Sequence, residues 1–231
     1  MKITLPDNSS RELPEGSSGY DLAKDIGPGL AKSAVAVTID GVQRDLHDVI
    51  GVDSAVSIIT IDSDEGIEIM RHTLTAQVLA RAIKNLYPKS KLAIGPTVQD
   101  GFYYDVESDE SISSDDLSKI EEEMKKIIKT KSAITKKLVS KKEALKIFKS
   151  NKEPYKEIII NESDQDDNFQ LYYQDDEEFV DLCRGPHLPN LGFIGSFKLT
   201  KVSGAYWKGD SKNSMLTRIY GTAFSNDKDL Q

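Results

Sequence analysis

The spacing of apolar residues changes at residues 62–66, and this change divides the chain into two differently built parts. Before it, apolar residues alternate along short runs such as 35–39, which predicts strands with one buried face. After it, apolar residues from 65 to 86 recur every three or four positions, which predicts an amphipathic helix. Residues 62–66, Asp-Ser-Asp-Glu-Gly, form a polar segment at this point. The polar segment predicts a domain boundary, with domains at 1–62 and 63–231.

The first part predicts a β-grasp fold, the ubiquitin-like arrangement of a sheet with a helix packed against it. Two hairpins lie on either side of a short helix at residues 20–26, and Asp40-Gly41 is a strong hairpin-turn signal. A last strand at 56–61 would complete the sheet. Domains of this kind usually bind or dock other molecules.

The second part predicts an α+β domain in which an antiparallel sheet is flanked by helices. Beyond the helix at 65–86, capping signals predict helices over 113–131 and 140–148. Segments rich in β-branched and aromatic residues predict the strands. The expected strands lie at 101–105, 155–160, 171–173, 179–182, 198–202 and 215–222. The fold class predicted for the whole chain is α+β.

Composition excludes several classes of protein. Hydrophobic residues make up 38% and charged residues 29% of the 231 residues, which is typical of a folded soluble protein. No run of about 18 apolar residues exists, so we expect no transmembrane helix and no membrane partner. The single cysteine excludes an internal disulfide and fits a reducing cytoplasm. The net charge of −8 argues against nucleic-acid binding by the whole surface. Residues 184–224, however, contain six lysines and arginines and one aspartate, which predicts a local basic face.

Reactive residue types are scarce and are concentrated at residues 181–187, Asp-Leu-Cys-Arg-Gly-Pro-His. This segment holds the only cysteine, Cys183, and one of the three histidines, His187. A carboxylate, a thiol and an imidazole around a Gly-Pro turn are a pattern typical of a site rather than of core packing. No phosphate-binding glycine loop accompanies them. Other scarce groups lie on distant segments: His72 on the first long helix, Tyr103 and Tyr104 on an aromatic strand, and Lys156 on an expected strand.

Together these segments resemble the N-terminal half of bacterial-type threonyl-tRNA synthetases. The matching stretches, in the family's order, are MKITLPDNS, DIGPGLAKSAVAVTIDG, IGPTVQDGFYYDV, EPYK, EFVDLCRGPHLPN and SGAYWKGDSKNSMLTRIYGTAF. The resemblance implies a TGS domain over 1–62 and, over roughly 63–224, an editing domain that hydrolyses seryl-tRNA made in error. It implies as partners the tRNA(Thr) acceptor end and its seryl-adenosine moiety. The class II catalytic and anticodon-binding domains would follow Gln231, so this chain is not expected to make aminoacyl-tRNA.

The resemblance also implies roles for individual residues. Lys156 would position or activate the attacking water, and Asp181 would bind the ammonium group of serine. Cys183 and His187 would shape the pocket around the hydroxyl and the ribose, with His72 as a further catalytic candidate. The implied substrate-binding residues are Tyr104, Gln77, Thr73, Asp181 and Arg184.

One departure from the family pattern concerns the first helix, which in the family usually carries His-x-x-x-His. Here His72 is followed four residues later by Ala76, and Gln77 is preceded four residues earlier by Thr73. Aligned from the downstream side, Thr73 and Gln77 take the two histidine positions. Aligned from the upstream side, His72 keeps its position and one extra residue precedes Gln77. The second histidine is lost in either case, and His72 is expected to turn by about 100° off the site face. We therefore expect a weakened or altered editing site.

Two other functions stay open at this point. Loss of the second histidine also suits a catalytically decayed module that still binds the acceptor arm of the tRNA. Alternatively, His72, Cys183 and His187 could supply three zinc ligands, as a related arrangement does in alanyl-tRNA-type editing domains. Because Gln77 takes the fourth position, and because the threonyl family does not usually use zinc here, we expect neither a metal nor a cofactor.

Overall fold

A computed structural model of the chain describes residues 1–175 and 177–230. These residues form two units of mixed sheet and helix, so the predicted α+β class is confirmed. The first sheet ends at Thr60, and the next helix begins at Asp64, within the polar segment 62–66. The division into domains at residue 62 stays a prediction, and Gln231, the last residue assigned to the second domain, lies outside the described residues.

The first unit is a five-stranded sheet with strand order β2-β1-β5-β3-β4. Its strands are β1 (Lys2–Thr4), β2 (Ser10–Glu12), β3 (Ala34–Ile39), β4 (Val42–Asp45) and β5 (Ser54–Thr60). Strands β1 and β5 pair in parallel, and the hairpins β1–β2 and β3–β4 are antiparallel. Helix α1 (Gly19–Ile26) packs Leu22 against Ile3 and Val37 of the sheet, and helix α2 (Pro28–Ser33) follows it. This is the β-grasp arrangement that the alternating pattern predicted.

The second unit contains two antiparallel sheets, of strand order β11-β10-β9 and β12-β13-β8-β6, with β7 paired to β8. The strands are β6 (Lys91–Leu92), β7 (Thr97–Val98), β8 (Gly101–Glu107), β9 (Ile134–Val139), β10 (Phe169–Gln174), β11 (Val180–Leu182), β12 (Ser196–Tyr206) and β13 (Met215–Phe224). The helices are α3 (Asp64–Thr73), α4 (Ala80–Leu86), α5 (Leu117–Lys129), α6 (Lys141–Ser150), α7 (Pro154–Glu162) and α8 (Asp227–Leu230). Among the described residues, none of the helices combines the length and the apolar character that crossing a membrane requires.

A π-helical segment, Leu74–Leu79, joins α3 to α4 without interrupting the helical rod. The Ala80 N–H donates to the carbonyl of Thr75, five residues back instead of the four of an α-helix. A π-helical turn therefore takes in one residue more than an α-helical turn. A turn of this kind has room for the one extra residue that the upstream alignment places before Gln77, and the choice of alignment stays a prediction.

The rod formed by α3, the π-helical segment and α4 lies in the largest apolar core of the molecule. Its buried Ile69, Leu74 and Ile83 pack in one cluster with Ile59 of the first sheet and Ile219 of the second unit. This continuous core joins the two units, so the residues on the rod are held on more than one side.

One strand assignment from the sequence is wrong, because residues 155–160 lie in helix α7 and Lys156 is therefore helical. The isoleucines at 158–160 favour a strand by intrinsic propensity. Pro154, however, occupies the first helical turn, where its missing N–H costs nothing. Burial of Ile160 against Phe148 of α6 then favours the helix. The expected strands include none of β6, β7 and β9.

The start of α3 depends on a glycine. A Cβ atom at Gly66 would lie 2.0 Å from the backbone oxygen of Thr60, so the helix can approach the end of β5 only without a side chain there. We predict that Gly66→Ala lowers the free energy of unfolding by about 1–3 kcal/mol, the usual cost of overpacking.

Urea unfolding followed by circular dichroism measures this difference in unfolding free energy. Gly29→Ala in α2 is the matched control, since a Cβ at Gly29 would meet no atom within 4 Å. The control should leave stability unchanged or slightly higher, because alanine favours helix over glycine. Equal stability of the two variants would contradict the close approach.

Candidate active site

A cavity of about 980 Å³ opens beside the 181–187 segment, between the helical rod and α7. The predicted site residues that line it are His72, Lys156, Asp181, Cys183 and Arg184. Ala76, Gly95 and Pro96 also line the wall. The structure thus brings together residues from three distant segments of the chain, as a catalytic site requires.

The other predicted site residues lie behind this wall. Thr73, Gln77 and Tyr104 are fully buried and His187 is 2% exposed, and none of the four lines the cavity. Tyr104 and His187 contact lining residues, Thr73 contacts His187, and Gln77 contacts Tyr172 and Gln174 of β10. The structure therefore divides the predicted set into one layer that faces the cavity and one layer that supports it.

Lys156, Asp181 and Tyr104 form one connected polar network. The Lys156 Nζ lies 2.8 Å from Asp181 Oδ1 and donates to the Tyr104 hydroxyl at 3.0 Å. That hydroxyl donates to Asp181 Oδ2 at 3.3 Å, and Oδ1 also accepts from the Leu182 N–H at 2.8 Å. The Lys156 and Asp181 side chains are only 4% and 2% exposed, so each charge depends on the other.

Burial raises the pKa of Tyr104 well above its ordinary value, and the nearby Asp181 carboxylate acts in the same direction. The hydroxyl therefore stays protonated and can keep donating to Asp181. Gly95 makes room for this ring, because a Cβ at Gly95 would lie 2.2 Å from Tyr104 Cδ2. A larger residue at position 95 would displace the tyrosine that supports the ion pair.

His72 and Cys183 form a second, neutral pair on the same wall. The His72 Nε2 lies 2.7 Å from the Cys183 Sγ, which also accepts from the Gly185 N–H at 3.2 Å. Burial raises the pKa of Cys183 to about 12 and lowers the pKa of His72 below its ordinary value. The pair is thus a thiol beside a neutral imidazole at neutral pH, and not a thiolate–imidazolium couple.

His187 supports His72 from behind. The two rings are stacked with centroids 4.7 Å apart and planes 4° from parallel, and the His187 Nδ1 lies 3.0 Å from Thr73 Oγ1. The Thr73 hydroxyl also accepts from the Leu188 N–H at 3.0 Å, which ties the helix to the end of the 181–187 segment. Burial, reinforced by His72, lowers the pKa of His187 well below its ordinary value. Its Nε2 has no hydrogen-bond partner within the described part of the chain.

The expected rotation of His72 off the site face is wrong, since its ring faces the cavity and contacts Cys183. The π-helical segment begins at Leu74, two residues after His72, so His72 itself lies in the α-helical part of the rod. Gln77 instead faces β10, where its Nε2 donates to the Tyr172 carbonyl at 3.4 Å and its Oε1 accepts from Gln174 at 3.2 Å. Ala76 lines the cavity in its place.

His72, Cys183 and His187 are also the residues that could hold a metal ion. One potential ligand atom from each lies within 4.8 Å of the others. The two imidazole rings are stacked in nearly parallel planes, however, so their nitrogen lone pairs lie in separate planes and do not converge on one point. One ring would have to turn before both could bind a single tetrahedral zinc ion.

The sequence reasoning missed three residues that shape this site: Asp45, Gly95 and Tyr172. Asp45 is in the first unit and accepts from the His187 N–H at 2.9 Å. Tyr172 makes an edge-on contact with the His187 ring, with centroids 4.5 Å apart. Gly95 could have been found from its position in the segment before the aromatic strand. The separation of Asp45 and His187 by 142 residues left no local signal for that contact.

Comparison with known proteins relates both parts of the chain to threonyl-tRNA synthetases. Residues 1–60 match the TGS domain, and residues 170–220 match the threonyl and alanyl tRNA synthetase second additional domain. Over 229 residues the chain is 48% identical to a threonine–tRNA ligase from Hahella chejuensis (strain KCTC 2396). That alignment covers 99% of this chain but 36% of the relative, so the chain spans little more than a third of the length of the relative.

The histidine environments predict an acid-shifted titration. Burial lowers the pKa values of His72 and His187 below the ordinary 6.5, so both imidazoles should stay neutral as the pH falls through that value. The unfolded chain binds these protons at higher pH than the folded chain, so the free energy of unfolding should decrease below about pH 6.5. NMR titration of the imidazole protons measures both midpoints, and with three histidines the spectrum is readily assigned. A midpoint at or above 6.5 for His187 would contradict its burial as a neutral group.

The Cys183 environment predicts an unreactive thiol. With its pKa raised to about 12 by burial, little thiolate forms at pH 8, and the thiolate is the reactive species. We expect iodoacetamide to alkylate Cys183 at least about 100-fold more slowly than free cysteine. Mass spectrometry of the intact chain follows the reaction, and the chain in urea is the control that should react at the normal rate. Fast alkylation of the folded chain would indicate an activated cysteine.

Proposed function

The chain corresponds to the region of threonyl-tRNA synthetases that combines a TGS domain with the editing domain, and from this premise we propose that it hydrolyses mischarged seryl-tRNA(Thr). The observation that carries the proposal is the buried Lys156–Asp181 pair at the wall of the large cavity, 2.8 Å apart. The chain spans 36% of the length of the related ligase, and the proposal concerns the hydrolytic reaction alone.

Discrimination between threonine and serine explains why such a site is needed. Serine lacks one methyl group and keeps the hydroxyl, so a pocket shaped for threonine rejects it by only about 1–3 kcal/mol. A second site that hydrolyses the wrong ester restores accuracy. The substrate is then the ester between serine and the ribose of the terminal adenosine, and a cavity of about 980 Å³ is large enough for both parts.

Asp181 has the capacity to bind the ammonium group of serine. A carboxylate offers about four lone-pair positions. Within the described chain three of them are used, by Lys156, the Leu182 N–H and the Tyr104 hydroxyl. One position remains for the substrate, and binding there would fix the ester relative to Lys156.

Lys156 is the group best suited to assist the attacking water. An ammonium has three donors, and two of them are used by Asp181 and Tyr104 in the described chain. The third can orient a water molecule or stabilise the oxyanion that develops on the ester carbonyl. Since Asp181 holds the lysine, this donor is fixed before the substrate arrives.

Cys183 and His72 complete the wall as neutral polar groups. A thiol with a pKa of about 12 is a poor nucleophile at neutral pH, which supports attack by water over attack by the cysteine. A neutral His72 imidazole can accept a proton or a hydrogen bond from the substrate. Arg184 is exposed at the cavity lining and is the candidate contact for the ribose or phosphate of the terminal nucleotide.

A decayed module that only binds the acceptor arm is the alternative, and one observation favours it. The position expected for the second histidine of the family lies at Gln77, which is fully buried and has turned toward β10, so it supplies no group to the cavity. Such a module would bind the acceptor end of the tRNA without releasing serine.

The deciding experiment is single-turnover deacylation with the chain in excess over seryl-tRNA(Thr) or threonyl-tRNA(Thr). We expect release of serine and sparing of threonine. Lys156→Ala and Asp181→Ala should each lower the rate by about 100-fold or more, the usual cost of losing a group that stabilises developing charge.

Lys137→Ala is the matched control, because Lys137 pairs with Glu177 on an exposed surface away from the cavity. Its rate should equal that of the unmodified chain. If the unmodified chain binds an acceptor minihelix but releases no serine above the Lys156→Ala level, the decayed binding module is the correct assignment.

A further inference from the structure

We propose that Asp45 of the first unit is a positioning residue for the segment that carries Cys183 and His187. This inference rests on the proposed function, because it assigns the β-grasp domain a part in shaping the editing site. Asp45 is the last residue of β4, and it reaches across to the second unit. The domain that the sequence predicts to dock other molecules would thus also support the hydrolytic site.

The Asp45 carboxylate makes three contacts with the second unit. Its Oδ1 accepts from the His187 N–H at 2.9 Å. Its Oδ2 accepts from the Tyr172 hydroxyl at 2.8 Å and lies 3.1 Å from the Lys136 Nζ. One carboxylate therefore connects strands β9 and β10 with the end of the 181–187 segment.

Through Tyr172 the same carboxylate also fixes the middle of that segment. Gly185 has a positive φ of 66°, and a Cβ there would lie 2.0 Å from the Tyr172 hydroxyl oxygen. The hydroxyl thus fills the space that a side chain at Gly185 would need. Asp45 orients this hydroxyl and binds the His187 N–H, so it restrains the segment at two points on either side of the turn.

Two contacts connect the restrained segment with residues that line the cavity. The Gly185 N–H donates to the Cys183 Sγ at 3.2 Å, and the His187 ring stacks on His72. Cys183 and His72 both line the cavity, whereas Asp45 does not. A shift of the segment would therefore move the neutral pair of the site without removing any group that contacts substrate.

The neighbouring Asp48 supplies a matched control. Its carboxylate lies 2.6 Å from the same Lys136 Nζ, so it shares the ionic contact between the units. Among the described residues its carboxylate forms no hydrogen bond with His187 or Tyr172. The Asp45 and Asp48 side chains are similarly accessible, at 16% and 20% exposed. Asp48→Ala therefore weakens the junction between the units while the hydrogen bonds to the segment remain.

The test compares Asp45→Ala, Asp45→Asn and Asp48→Ala in the full chain by single-turnover deacylation of seryl-tRNA(Thr). We expect Asp45→Ala to lower the rate at saturating protein by about tenfold or more, since small misplacement of a catalytic group has effects of this order. The protein concentration at half-maximal rate should change by less than about twofold, because no substrate contact is lost. Asp48→Ala should keep the rate of the unmodified chain.

Asparagine keeps one acceptor oxygen for the His187 N–H, but it replaces the oxygen that accepts from Tyr172 and faces Lys136 with an amide NH2 group. Asp45→Asn should therefore recover part of the rate that Asp45→Ala loses, because the contact with the His187 N–H remains. Equal rates for Asp45→Ala and Asp48→Ala would overturn the proposal, and so would an Asp45→Asn variant as slow as Asp45→Ala. Thermal unfolding of all three variants identifies any that are too unstable to compare.

The His187 NMR signals separate this inference from the proposed function. Asp45→Ala should shift the backbone amide and ring signals of His187, and Asp48→Ala should leave them in place. If the unmodified chain releases no serine, the proposed function fails, and these spectra still decide whether Asp45 holds the segment. Unchanged His187 signals in folded Asp45→Ala would overturn the positioning role.

Discussion

Burial of one helical rod on several sides is the constraint on which the rest of the structure depends. Residues 64–86 pack in a core that includes Ile59 of the first sheet and Ile219 of the second unit. A helix buried in this way must find partners for its polar side chains inside the protein. Thr73 and Gln77 therefore bond to His187 and to β10, and these bonds fix the back of the cavity.

The wall of the cavity has two parts with different electrostatic character. The Lys156–Asp181 pair keeps two opposite charges in a buried place, where each stabilises the other. The His72–Cys183 pair is held neutral by the same burial, because the histidine loses basicity and the thiol loses acidity. The charged part can bind an ammonium group and direct a water molecule. In the proposed hydrolysis, the neutral part would border the serine hydroxyl without attracting further charge.

The contact between the two units is partly polar, which distinguishes it from a simple apolar docking surface. Besides the shared core around Ile59, the Lys136 ammonium lies between the carboxylates of Asp45 and Asp48. A second cavity of about 350 Å³ lies at this junction and reaches His187 from the side away from the large cavity. The 181–187 segment therefore lies between the large cavity on one side and the first unit on the other.

The sequence by itself determined the features that depend on neighbouring residues. Alternation at 35–39 and the Asp40-Gly41 turn predicted the hairpin of β3 and β4, and φ values of 48° and 83° at the turn agree. The serine caps predicted helices α5 and α6 to within a few residues. The scarcity of cysteine and histidine located the cavity at residues 181–187. Each of these signals acts over a few residues, so it can be read without knowing the fold.

Only the tertiary structure decided which residues face the cavity. The residues of the first helix leave open whether His72 or Thr73 faces the site, and the fold places His72 at the cavity wall and Thr73 behind it. Lys156 is on a helix because Ile160 packs against α6, which outweighs the strand propensity of the isoleucines. Asp45 meets His187 across 142 residues of chain. Such outcomes depend on packing between segments that are distant in sequence, and local propensity carries no information about them.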